Sequence, residues 1–109
     1  MTTPRVTVVI PAFNAEAFVR GAVESALAQA EVSEVVVVDD ASQDATGAVV
    51  ERIADLRVVL VRHRRNAGVS VARNTGLARA TAPVVALLDH DDELLPGSMA
   101  ARATAFDPT

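Results

Sequence analysis

Four short aliphatic runs limit what this chain can fold into. They are Val6-Thr7-Val8-Val9-Ile10, Val35-Val36-Val37-Val38, Val58-Val59-Leu60-Val61 and Val84-Val85-Ala86-Leu87-Leu88. They are rich in β-branched residues and nearly continuous, with no polar residue at every second position. Parallel strands covered on both faces read this way, whereas half-exposed antiparallel strands alternate. Their starts lie 29, 23 and 26 residues apart, which fits successive strand–helix units. At 109 residues the chain is sized for a single domain, residues 1–109.

The segments between the runs predict helices. Asn14 is placed to cap a helix over about 15–30, and Ser42 to cap a second one with Asp44 in its first turn. A third is expected over 69–80, with Val69, Ala72, Leu77 and Ala80 turned inward. Gly76 inside that helix costs up to about 1 kcal/mol against Ala, so a close backbone approach is expected there. Pro83 is expected to end it, and a last helix to start near Pro96. The order βαβαβαβ implies an α/β fold: a mainly parallel four-stranded sheet, Rossmann-like, flanked by helices.

Ligands of such sheets bind at the carboxyl ends of the strands. Behind the four runs stand Pro11-Ala12-Phe13-Asn14, Asp39-Asp40-Ala41-Ser42, Arg62-His63-Arg64-Arg65-Asn66-Ala67-Gly68 and Asp89-His90-Asp91-Asp92. The unusual polar residues therefore all fall on one sheet edge.

Composition removes several chemistries. There is no Cys and no Lys, and all ten basic side chains are Arg. Disulfides, thiolate metal sites, the Lys-bearing phosphate loop and Schiff-base catalysis are excluded. The net charge of −4 argues against nucleic acid as a partner. No signal peptide or long apolar span stands out, so the default location is the cytoplasm; docking at the inner face of a membrane through other sequence stays open.

Asp89, Asp91 and Asp92 crowd one loop. Two carboxylates about 5 Å apart repel by roughly 3 kcal/mol at an effective dielectric near 20. Either they splay into water or a cation holds them. Oxygen-only ligands suit a hard ion, Mg²⁺ or Mn²⁺, and Mg²⁺ commonly completes its shell with substrate phosphate. Without such a ligand, their compensating charge is expected to be missing. Glu93 is expected to face water. The Asp39–Asp40 pair is either a helix-start feature or an acceptor for a base or ribose. The first turn lacks G-x-G-x-x-G, so a dinucleotide is not expected. Arg73, on a small-residue helix aimed at the same edge, is suited to a diphosphate. His63 and His90 have no second His at ligand spacing and read as surface residues.

These residues also carry a resemblance. "VTVVIPAFNAEAFVRGAVESALAQ", "EVVVVDDASQDAT", "RNAGVSVARNTGLARA" and "VVALLDHDDELLPG", in this order, resemble the amino-terminal half of family 2 glycosyltransferases, inverting enzymes of the GT-A fold. The resemblance covers roughly residues 5–100. It implies transfer of a sugar from a nucleotide-diphosphate donor, with a UDP-sugar favoured, to a carbohydrate, lipid-linked or protein hydroxyl. It puts Pro11 and Phe13 in the base pocket and gives Asp40 a hydrogen bond to the base. Asn66 and Arg73 are placed around the nucleotide, Asp89 near the ribose, and Asp91 at the metal with Asp92 beside it. The division of labour among these three acids is left open. The family's general base is expected downstream of Thr109, so the chain is read as the donor-binding half of a longer catalytic domain. Two other readings compete: a non-catalytic nucleotide-binding module, and a phosphoacceptor receiver domain, which would need a Lys that is absent.

Overall fold

The computed structural model describes residues 4–97. Strands β1 (Val6–Ala12), β2 (Val32–Asp39), β3 (Val58–Arg62) and β4 (Val84–Leu87) alternate with helices α1 (Val19–Leu27), α2 (Thr46–Glu51) and α3 (Val69–Arg79). The sheet order is β3-β2-β1-β4, and every pairing is parallel. The chain steps outward from β1 to β3, then returns through α3 to the far side of β1. The strand order thus reverses between β1 and β4, where open α/β sheets form their binding crevice.

Alternate strand residues serve opposite faces. Val6, Val8, Ile10 and Ala12 of β1, with Val35 and Val37 of β2, pack on Val19, Ala22, Val23 and Ala26 of α1 and Val50 of α2. Val9, Val36 and Val38 form a smaller cluster with Ala72 on the other face. The larger cluster contains only aliphatic side chains, which suits a sequence with three aromatics.

Helix α3 comes close to the sheet because Gly76 has no side chain. A Cβ there would lie 2.2 Å from Val9 Cγ1. The predicted close approach is therefore present. The predicted inward face of α3 is only partly so: Ala72 and Gly76 are buried, whereas Val69 and Leu77 are exposed. Small residues reach the sheet here, and the larger ones flank the contact. Helix α3 ends at Arg79, before Pro83.

Helices α1 and α2 also begin later than expected. Asn14 sits at φ 48 and does not cap α1, which starts at Val19 without a side-chain cap. Ser42 does not cap α2, which starts at Thr46. Both side chains are engaged between the loops, as described below. The helix expected near Pro96 lies almost wholly outside the described residues. No described helix is long and apolar enough to cross a membrane.

A buried polar knot closes the opposite end of the sheet. Glu34 Oε1 accepts from Thr7 Oγ1 (2.9 Å), Thr81 N (3.0 Å) and Thr81 Oγ1 (3.2 Å), and Ala82 N donates to Thr7 Oγ1 at 3.2 Å. The chain leaving α3 is thereby pinned beside β1 before it enters β4. Strand β2 consequently starts three residues earlier than its valine run, with Glu34 inside it.

Candidate active site

The loops after β1 and β2 are tied together by hydrogen bonds between side chains of one and backbone of the other. Asn14 N donates to Ser42 Oγ (2.9 Å) and Asn14 Oδ1 accepts from Gln43 N (2.9 Å). Ala15 N donates to Thr46 Oγ1 at 2.8 Å, and Glu16 N to Asp44 Oδ2 at 3.2 Å. Asp39 Oδ1 accepts from Ser42 N at 3.0 Å, closing the turn. Ala41 lies in that turn at φ 61, a left-handed conformation that costs a non-glycine residue about 1 kcal/mol or more.

That turn aims Asp40 at the loop after β3. Its backbone N donates to Ala12 O at 2.9 Å, which extends the β1–β2 ladder by one step. Asp40 Oδ1 accepts from Ala67 N (2.9 Å), and Oδ2 from Gly68 N (2.9 Å). Oδ1 also meets His63 Nδ1 at 2.8 Å. Gly68 opens α3 at φ 96, ψ 162, a region that essentially only glycine occupies. Asn66 Nδ2 donates to the Asp40 carbonyl oxygen at 3.3 Å.

Burial pushes the Asp40 carboxyl pKa up. Hydrogen bonds from His63 and from the Ala67 and Gly68 amides, together with the His63 charge, outweigh this and hold it below the usual value. Asp44 behaves similarly: burial raises its pKa, and bonds from the Thr46 hydroxyl and the Thr46 and Glu16 amides bring it lower overall. Groups with depressed folded pKa values contribute stability that is present above the unfolded value, about 3.9, and lost as pH falls through the folded value. Thermal unfolding is therefore expected to move to lower temperature on acidification below about pH 4. Asp44→Asn is expected to flatten that acid limb; a scan showing the same limb in the variant would remove Asp44 from the account.

A cleft of about 330 Å³ opens beside Asp40. It is lined by Pro11, Ala12, Phe13, Asp40, Asn66, Gly68, Val69, Ala72 and His90. Four of the residues proposed from the sequence, Pro11, Phe13, Asp40 and Asn66, thus share one cleft at the carboxyl edge. His90, read as a surface residue, also lines it. His63, read likewise, is mostly buried beneath it, with Asp40 on one ring nitrogen and Thr75 Oγ1 at 2.8 Å from the other. No local spacing reveals this, because its partners lie 23 and 12 residues away.

Beyond His90 stand the acids. One carboxylate oxygen each from Asp89, Asp91 and Asp92 can be chosen so that all lie within 4.8 Å of one another, and all three residues are exposed. Asp92 N donates to Asp89 O at 3.0 Å, which folds the loop into a turn. Arg73 Nη2 lies 3.6 Å from Asp89 Oδ1, so Asp89 has a compensating charge from the chain itself, contrary to expectation. Asp91 and Asp92 make no ion pair among the described residues. Arg73 Nε is buried without a partner, a donor still available on a guanidinium beside the acids. Glu93 is exposed as expected, and packs beside Gly21 on α1.

A parallel sheet with reversed strand order, a cleft at the crossover and carboxylates beside it define an open α/β protein with a candidate ligand site at the carboxyl edge of its strands. Comparisons with known proteins narrow this further. The family model "Glycosyl transferase family 2" matches residues 7–107, and the chain belongs to that family. It is 49% identical over 94 residues to the succinoglycan biosynthesis protein ExoO of Rhizobium meliloti, covering 85% of this chain and 27% of that protein. Among solved structures it resembles the mannosyltransferase PcManGT from Pyrobaculum calidifontis in complex with GDP-Man and Mn²⁺. The TM-score is 0.88 at 33% identity, over all of this chain and 34% of that one. It also resembles S. aureus TarS 1-349 in complex with UDP, with a TM-score of 0.80 at 30% identity, over 94% of this chain and 31% of that one. The chain therefore spans about a third or less of the length of each of these relatives.

Proposed function

We propose that this chain forms the donor side of a glycosyltransferase that moves a sugar from a nucleoside diphosphate sugar to an acceptor hydroxyl in polysaccharide synthesis. One observation carries the reading: the cleft walled by Asp40 and the Asp89–Asp92 acids open on the same sheet edge. The family membership and the nucleotide complexes of the two relatives support it.

Within this reading the nucleobase enters between Phe13 and the Asn66–Gly68 turn. An ionised carboxylate only accepts hydrogen bonds, at about four lone-pair positions. Three of those on Asp40 are taken by His63, Ala67 and Gly68. The remaining acceptor suits a base with a ring N–H. Uracil and guanine have one; adenine and cytosine offer a carboxylate only an exocyclic amino group. Uridine is the favoured donor base and guanosine the alternative. Asp89, with Arg73 against it, is assigned to the ribose side, and the Arg73 donors face the diphosphate.

The acids fit a hard divalent cation, because every donor atom is a carboxylate oxygen and the three can converge. Asp91 and Asp92 would hold it as Mg²⁺ or Mn²⁺. When bound, such an ion neutralises charge that builds on the departing diphosphate. The acceptor site and the base that takes the acceptor's proton are assigned outside these residues.

Calorimetry tests the donor assignment. UDP or GDP is expected to bind more tightly with Mn²⁺ or Mg²⁺ than with chelator, and ADP weakly in both. Asp91→Ala is expected to bring affinity with metal down to the chelator level. If no nucleoside diphosphate bound under any of these conditions, the donor assignment would be wrong.

A further inference from the structure

We infer that His63 is a positioning residue of the nucleotide site, holding the Asp40 carboxylate through Nδ1 and anchoring it to α3 through Nε2. This rests on the donor-site reading above and adds a residue to it. The ring lies 2.8 Å from Asp40 Oδ1 on one side and 2.8 Å from Thr75 Oγ1 on the other. Its side chain is 17% exposed and that of Asp40 5%, so water competes weakly for either contact. The backbone of His63 is also fixed, since its N donates to Asp39 O at 2.9 Å. One residue thus joins the end of β2, the end of β3 and the second turn of α3.

The proton positions follow from the partners. Asp40 is ionised and only accepts, so Nδ1 carries a proton. The Thr75 hydroxyl lies 3.0 Å from Val71 O and has one proton to give. If that proton goes to Val71 O, Nε2 donates to Thr75 and the ring is cationic. If it goes to Nε2, the ring is neutral. The Nδ1–H bond to Asp40 is the same in both states, so ring orientation does not depend on ring charge.

The function of this bond is directional. Asp40 Oδ1 is shared by His63 and the Ala67 amide, and Oδ2 faces the Gly68 amide. Removing His63 leaves the carboxylate tied only to the 67–68 turn, free to rotate with it. Asp40, Asn66 and Gly68 all line the cleft, so its wall would loosen as a unit.

The test compares the unaltered protein with His63→Ala, His63→Asn and Thr75→Val, all assayed below their melting temperatures. UDP and GDP are titrated with Mn²⁺ and with chelator. His63→Ala is expected to weaken binding about tenfold in both conditions, as loss of an orienting partner does at other polar sites. In His63→Asn the side-chain amide nitrogen stands near the Nδ1 position, so most of the affinity is expected to return. Thr75→Val is expected to weaken binding by less, in the same direction. ¹⁵N spectra of the imidazole are expected to show a protonated Nδ1. Unchanged affinity in His63→Ala, no recovery in His63→Asn, or a bare Nδ1 would each overturn the inference. If His63→Ala does not fold, His63→Asn and the ¹⁵N spectrum decide. Failure of the unaltered protein to bind either nucleotide defeats the donor-site reading, and this inference with it. Binding that ignores His63→Ala defeats this inference alone.

Discussion

Replacing Asp40 by Ala is expected to weaken nucleotide binding about a hundredfold, equally with and without a divalent cation. The change removes the acceptor of the Ala67 and Gly68 amides and the partner of His63. A partly buried donor left without its acceptor costs about 1–3 kcal/mol. Ala67 is exposed, so water recovers part of that loss. A net effect near 3 kcal/mol on binding, about two orders of magnitude, combines the lost ligand contact with the loosened turn. The melting temperature is expected to fall as well. The contrast with Asp91→Ala is the informative part, because that variant is expected to lose only the metal-dependent share. If Asp40→Ala bound normally in chelator, Asp40 would have no part in holding the nucleoside.

The second large effect lies in the core. Gly76→Ala places a methyl group 2.2 Å from Val9 Cγ1, deep inside contact distance. Helix propensity favours Ala by up to about 1 kcal/mol, but forcing α3 off the sheet costs about 1–3 kcal/mol or more. A net loss near 2 kcal/mol lowers the melting temperature by roughly 10 °C in a domain of this size. Gly76→Val adds a branched side chain against Val9 and is expected not to fold. Thermal unfolding by circular dichroism reads both. A Gly76→Ala protein more stable than the parent would mean that the helix stands further from Val9 than the structure has it.

Most of the fold was legible because its signal is local. A run such as Val35-Val36-Val37-Val38 can be buried on both faces in only a few ways, and the polar residues that follow each run mark the carboxyl edge. Pro11, Phe13, Asp40 and Asn66 therefore fell into one cleft as the sequence implied. The misplaced parts depend on contacts across the chain. Asn14 and Ser42 have the chemistry of helix caps, but each is engaged by a loop 28 or 29 residues away. Both helices consequently start later than cap chemistry predicts. Glu34 carries no local signal in the sequence, yet Thr7 and Thr81 make it part of a buried knot. Val69 and Leu77 looked like core because they are large, whereas the contact is made by Ala72 and Gly76 because they are small. His63 was passed over because a lone His has no pattern; Asp40 and Thr75 give it a role only once the chain is folded.

The lacing of the first three loops has a thermodynamic consequence. Asn14, Ser42, Asp44, Asp40 and His63 hold the wall assigned to the nucleoside with hydrogen bonds that exist without ligand. Association there requires little loss of chain entropy. The acid loop differs: Asp91 and Asp92, assigned to the metal on the diphosphate, make no ion pair among the described residues, and Asp89, assigned to the ribose side, has only the 3.6 Å contact to Arg73. Ordering on that side falls to the moment of binding. A nucleoside and its diphosphate should thus differ in heat and entropy of binding more than in contact area, with the unfavourable entropy carried by the phosphates.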